Sequence, residues 1–217
     1  MTGLFITFEG TEGSGKSTQI ALLAERLRSL GYFVRSLREP GGTPIGEEIR
    51  HTLKHSARNQ AMQAETELLL MNASRAQLVR EVIRPALASG EIVLCDRFYD
   101  STTAYQGYGR QLDLNTVQAM IDFAVGETRP DATLILAVST QVSDERRRAR
   151  QSTMAFIRDR MEEADRTFFE SVARGYEAIA AADPKRVRVI QAASSVQEIE
   201  ASIWKIVEPL LIQTGRP

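Results

Sequence analysis

Phe8-Glu9-Gly10-Thr11-Glu12-Gly13-Ser14-Gly15-Lys16-Ser17-Thr18 is the stretch that decides the fold. Gly10, Gly15, Lys16 and Ser17 stand in the spacing G-x-x-x-x-G-K-[ST] without a mismatch. Upstream, Leu4-Phe5-Ile6-Thr7-Phe8 reads as a buried strand; downstream, Ile20 to Leu27 reads as an amphipathic helix. A glycine-rich turn between the two leaves backbone N–H groups free to converge on a phosphate, at the positive end of the helix. Gly10, Thr11, Glu12, Gly13, Ser14, Gly15, Lys16, Ser17 and Thr18 are therefore the candidate phosphate cradle. Within it, Lys16 is placed to reach the outer phosphates and the Ser17 hydroxyl to ligate the magnesium that accompanies them.

Outward from this stretch, strand-like runs at 4–9, 32–38, 91–96, 132–138 and 186–191 alternate with helical runs. The helices are expected near 16–30, 44–57, 64–89, 113–126, 141–150, 159–182 and 196–211. Such alternation implies an α/β fold, a parallel sheet with helices on both faces. Ligands then bind beyond the carboxyl ends of the strands, in the loops after residues 9, 38 and 96. Glu91-Ile92-Val93-Leu94-Cys95-Asp96 is an apolar strand ending in an acid, which places Asp96 to orient a magnesium-bound water beside Ser17. The following segment, 97–110, reads as a loop that puts Arg97 and Arg110, tyrosines including Tyr105, and Gln106 where a nucleotide would lie, rather than as a plain polar surface loop. Arg97 offers a planar fork for a phosphate, and the Gln106 amide can pair with a base edge.

Bulk properties narrow the function further. The chain has 217 residues and a formal net charge of -1 at pH 7, so nothing in its overall balance favours a nucleic acid or a membrane surface as partner. No apolar run is long enough to span a bilayer. The first strand is expected almost at the amino terminus, leaving no room for a signal peptide, and the single cysteine, Cys95, suits a reducing cytoplasm. His51 and His55 have metal-ligand spacing on a helix but no third partner, and read as a surface pair.

Asp96-Arg97-Phe98, Asp100-Ser101, Ala104-Tyr105-Gln106-Gly107 and Gly109-Arg110 together closely resemble the signature loop of bacterial thymidylate kinases. Phe8-Glu9-Gly10-x-Glu12-Gly13-x-Gly15-Lys16 resembles that family's phosphate loop, Arg38-Glu39-Pro40-Gly41-Gly42-Thr43 its second-strand loop, and Arg75-Ala76-Gln77 the end of its base-site helix. Asp159-Arg160-x-Glu162, Phe168-Phe169 and Gly175-Tyr176 resemble the segment after its lid. The resemblance implies a three-layer P-loop kinase fold with a five-stranded parallel sheet in the order 2-3-1-4-5. It implies one domain over residues 1–217 with a short mobile lid at about 146–158. It also implies transfer of the terminal phosphate of ATP to dTMP with Mg2+, in a cytoplasmic homodimer.

By the same likeness Arg97 grips the acceptor phosphate, with Arg38, Pro40, Arg50 and Ser101 near the acceptor. Glu12 faces the acceptor sugar and magnesium, Tyr105 packs on the sugar, Gln106 meets the base, and Arg75 bonds a thymine carbonyl. Met71 stands where the family usually carries a stacking phenylalanine; its spacing to Arg75 keeps both on one helix face. The variable positions of this phosphate loop, Thr11 to Ser14, hold no arginine, so the basic group for the transferring phosphoryl is expected from the lid, with Arg148, Arg150 and Arg158 as candidates. Two other functions fit parts of the pattern. One is a kinase for a different nucleoside monophosphate, which Met71 allows. The other is a GTP-driven switch, disfavoured because no Asn-Lys-x-Asp motif is present.

Overall fold

The computed structural model describes residues 3–139, 141–143, 145–146, 160 and 164–213. The first strand, β1 (Leu4–Glu9), is buried at every position and lies in the middle of a five-stranded sheet. The others are β2 (Val34–Arg38), β3 (Ile92–Asp96), β4 (Ala132–Ala137) and β5 (Val187–Gln191), in the order β2-β3-β1-β4-β5, and every pairing is parallel. A strand covered on both faces needs a nearly unbroken apolar run, which is what Leu4 to Phe8 supply. β1 pairs with β3 through Phe5↔Val93 and Phe8↔Asp96, and with β4 through Ile6↔Ala132 and Phe8↔Leu134.

Period-two alternation divides β1 between two cores. Leu4, Ile6 and Phe8 pack with Leu23 and Leu27 of α1 (Lys16–Ser29) and with Ile203 and Val207 of the last helix (Val196–Gln213). Phe5 faces the other way, against Leu68 and Leu78 of α3 (Ala64–Leu78) and Ile121 and Val125 of the helix Leu114–Val125. The sheet is thus the middle of three layers, with the ends of β1, β2 and β3 brought together at one edge of the sandwich.

Three expected elements differ. The run 44–57 is α2 (Pro44–Arg50) followed by a π-helical turn at His51–His55. The run 64–89 is α3, a wide π-helical turn at Val79–Ile83, and α4 (Arg84–Ala88); Pro85, which has no N–H to donate, stands two residues past the widened turn. The helix expected from 159 begins at Arg166, where the Asp165 side chain accepts the Phe168 backbone N–H at 2.8 Å and closes the helix start.

The largest correction concerns 97–110, expected as a loop facing a nucleotide, which is largely helical. It forms a short helix α5 (Tyr99–Thr102) and a π-helical turn (Thr103–Gly109), and Asp100, Ser101, Ala104, Tyr105, Gln106 and Gly107 are all buried in it. With the helix Leu114–Val125 as α6, the helix Arg166–Ala182 is α7 and the last helix α8. α7 crosses this turn so closely that a Cβ on Gly175 would stand 3.0 Å from Ala104 Cα and Tyr108 Cβ. Residues 141–143 and 145–146 are helical as expected. Most of the expected lid, including Arg148, Arg150 and Arg158, lies outside the described residues.

Candidate active site

The phosphate loop leaves β1 at Gly10, whose φ of 127° lies in the range that side chains rarely adopt; a Cβ there would stand 2.5 Å from the Leu136 carbonyl oxygen. It enters α1 at Gly15, also left-handed, so Lys16, Ser17 and Thr18 form the first turn of the helix. Lys16 does not extend outward. Its Nζ donates to the carbonyls of Gly10 (3.1 Å) and Thr11 (3.0 Å) and to Ser14 Oγ (3.5 Å), filling the cradle from within. Burial, aided by the like charge of Arg97, lowers this amine to about 8. The Glu12 carbonyl accepts the Ser143 hydroxyl at 2.6 Å.

At the carboxyl end of the neighbouring strand, Asp96 Oδ2 accepts the Ser17 hydroxyl at 3.2 Å. These two oxygens, one anionic, suit a hard divalent cation such as magnesium, which takes one or two protein oxygens and keeps the rest of its shell for water and phosphate.

Beside this cradle lies a cavity open to solvent on one side. Every residue expected on the acceptor side except Arg38 and Arg50 lines it: Glu12, Pro40, Met71 and Arg75 from the strand loops and α3, and Arg97, Ser101, Tyr105 and Gln106 from the segment after β3. Arg38 and Arg50 instead direct a guanidinium N–H to the Pro40 carbonyl, at 3.3 and 2.8 Å, and Arg38 also pairs with Glu47 at 3.0 Å. Glu39, Lys54, Thr102 and Phe169 line the cavity too and carry no expectation from the sequence.

Arg97 is anchored through both its backbone and its side chain. Its backbone is left-handed (φ 69°), an unfavourable state for a side-chain-bearing residue that persists only where neighbours enforce it. Here the Arg97 N–H donates to the Phe8 carbonyl (2.9 Å), the Cys95 thiol to the Arg97 carbonyl (3.1 Å), and the next N–H, that of Phe98, to Glu9 Oε1 (2.7 Å). The guanidinium reaches Ser101 Oγ (3.1 Å), Tyr176 OH (3.3 Å) and Tyr105 OH (3.2 Å). Glu9 Oε2 in turn accepts the hydroxyls of Ser101 (2.5 Å) and Tyr176 (2.9 Å). Burial, and next the charge of Asp100, pushes the Glu9 carboxyl up to about 7. An acid at the end of a fully buried strand was the available signal for Glu9; its distant partner Tyr176 left none.

The part of the cavity lined by Arg75 and Gln106 is also tightly held. Arg75 is 2% exposed and ion-paired to Glu39 at 2.8 Å. Gln106 donates its amide N–H to Glu67 Oε1 at 2.7 Å, and Glu67 also binds Arg110 (3.1 Å) and Arg160. Met71 is partly buried and packs on the cluster that contains Tyr105 and Phe168.

A phosphate loop at the end of the central strand, facing a second cavity that holds a fixed arginine and polar walls, defines a P-loop kinase of small phosphorylated molecules. Comparison with known proteins narrows the class. The family model described as thymidylate kinase matches residues 8–203, so the chain belongs to the thymidylate kinase family. It is 47% identical over 216 residues to the thymidylate kinase of Pseudomonas syringae pv. tomato, covering 99% of this chain and 100% of that one. It is 46% identical over 215 residues to the thymidylate kinase of a Synechococcus strain, with the same two coverages. The crystal structure of thymidylate kinase from Ehrlichia chaffeensis superposes with a TM-score of 0.76 at 33% identity, covering 96% of this chain and 99% of that one.

Proposed function

We propose that the protein transfers the γ-phosphoryl group of ATP to dTMP, giving dTDP and ADP for DNA precursor synthesis. The observation that carries this reading is the shared wall between cradle and cavity: Arg97 and Glu12 line the acceptor cavity while lying next to Asp96 and within the phosphate loop respectively. ATP phosphates occupy the loop Gly10–Thr18, and Lys16 exchanges its intraloop carbonyls for their outer oxygens. Arg97 holds the acceptor phosphate in line. Arg75 and Gln106 read the base, Met71 lies on its face, and Tyr105 packs on the sugar with Ser101 beside it.

The acceptor phosphate is already anionic near neutral pH, so direct transfer needs no general base. Catalysis consists of positioning and charge neutralisation. Ser17 and Asp96 hold Mg2+, which when bound neutralises charge on the phosphates. Arg148, Arg150 and Arg158 add cationic groups for the transferring phosphoryl, since the phosphate loop has none besides Lys16. The protein works as a single domain, as a cytoplasmic homodimer.

An ADP-release assay across dTMP, dUMP, dCMP and GMP, with ATP as donor, tests the assignment directly. Preference for dTMP by kcat/KM supports it. Preference for another monophosphate makes the protein a kinase of that nucleotide, and GTP binding without acceptor turnover makes it a switch.

A further inference from the structure

Arg75 and Glu39 form a buried pair whose bonding is incomplete in a specific way. Glu39 Oε2 takes Arg75 Nε at 2.8 Å and stands 2.8 Å from Nη2. Arg75 Nη2 also donates to the Phe98 carbonyl at 3.2 Å, and Nη1 donates to Asn72 Oδ1 at 3.1 Å. A guanidinium has five N–H groups. Glu39, Phe98 and Asn72 account for at most four, which leaves one N–H on Nη1 without a partner among the described residues. Both residues line the acceptor cavity, and Glu39 Oε1 is buried with no hydrogen-bond partner among those residues. An arginine held from three sides with one donor left over is a reading head for a single carbonyl.

We propose that Glu39 is a positioning residue for base recognition: it holds the Arg75 fork so that the remaining Nη1 N–H meets a carbonyl on the pyrimidine. The inference rests on the reading of Arg75 as the base-side residue. Glu39 enters from the end of β2 and Arg75 from α3, so their ion pair also fixes α3 against the sheet edge at the one point where the base is read. Without the carboxylate, Arg75 keeps its bonds to Asn72 and Phe98 but loses the two contacts that set the plane of the fork. The consequence falls on discrimination rather than on the chemical step, because neither residue touches the phosphate-binding groups Lys16 or Arg97.

Glu39→Gln, Glu39→Asp and Arg75→Lys, each tested for KM and kcat with dTMP and with dCMP, decide the matter. The cytosine nucleotide presents an amino group where thymine has its C4 carbonyl. Glu39→Gln is expected to raise KM for dTMP roughly ten- to a hundredfold. The preference for dTMP over dCMP should fall, with kcat at saturation and KM for ATP nearly unchanged. Glu39→Asp, which keeps the charge but shortens the reach by one methylene, should show the same loss of preference if the glutamine variant does not fold. A fall in kcat for both acceptors alike, or an unchanged dTMP preference in a folded Glu39 variant, overturns the inference. Should Arg75→Lys also leave that preference intact, the base-side reading of Arg75 falls with it; if only the Glu39 variants do, the positioning role alone is wrong.

Discussion

Ser17 Oγ donates to Asp96 Oδ2 across 3.2 Å, joining the first turn of α1 to the end of β3. The strand that carries Asp96 is a hydrogen-bonded neighbour of the one that leads into the phosphate loop, with Phe8 paired to Asp96, so sheet and loop together set the spacing. A rigid pair of oxygens of this kind suits a cation that brings its own water shell. Asp96→Asn keeps the size and can still accept from Ser17, but removes the charge. Turnover should fall about a hundredfold or more at fixed magnesium and recover in part as magnesium is raised. A magnesium titration of the variant that overlays the wild-type curve would show that Asp96 does not hold the ion.

Glu9 supplies a pH-dependent signature in stability. Its carboxyl titrates near 7 in the fold against 4.5 as the ordinary value, because burial disfavours the charge and Asp100 adds to the effect. Between those two pH values the folded protein holds a proton that the unfolded chain has lost, so stability falls as pH rises through the window and is level above it. The contribution amounts to about 3 kcal/mol. Glu9→Gln removes the titration. Its amide oxygen can still accept the Phe98 N–H, and the Ser101 and Tyr176 hydroxyls can turn to accept its N–H groups. Urea unfolding at pH 5, 6, 7 and 8 should show the variant gaining on the wild type as pH rises. Parallel curves would mean that Glu9 is ionised throughout.

Met71 stands where the family resemblance expects an aromatic floor to the proposed base pocket. It lines the cavity with Phe169 and packs on the cluster formed by Tyr105 and Phe168. A thioether contacts a ring from many rotamers, whereas a phenyl group defines one stacked slot. Met71→Phe is expected to lower KM for dTMP by about threefold while leaving KM for ATP unchanged. No change in either constant would make Met71 a packing residue of the core.

How much of this was legible in the sequence depended on how local the cause was. The apolar run Leu4 to Phe8 predicted a buried strand, and the phosphate loop followed from its glycine and lysine spacing. The segment after Asp96 was read as a nucleotide-facing loop, and its helical turns and the burial of Asp100, Ser101 and Gln106 were missed. Their burial is compensated by Arg186, Glu9 and Glu67, which are remote in sequence. Glu39 was quoted as part of a motif, but nothing near it indicated that its partner would be Arg75 on another layer. The start of α7 was readable in principle, since Asp165 precedes Arg166-Thr167-Phe168 as a capping residue should.

Gly10 and Gly15 separate the two reasons for glycine in the cradle. At Gly15 the φ of 93° strains any L side chain, but an added Cβ would meet no atom within 4 Å. Gly15→Ala therefore carries the conformational cost alone, about 1–2 kcal/mol. At Gly10 the φ of 127° is compounded by a Cβ position 2.5 Å from the Leu136 carbonyl and 3.1 Å from Ser14 Oγ. The Leu136 contact is to backbone of β4 and cannot be relieved by a rotamer change, so β1 and β4 must separate or the loop must move. Gly10→Ala should cost roughly 3 kcal/mol or more in denaturant unfolding. It should also lower turnover more than Gly15→Ala does, because the carbonyls of Gly10 and Thr11 that hold Lys16 shift with it. Equal losses in stability for the two variants would show that strain at φ, and not the approach to β4, is what demands glycine at position 10.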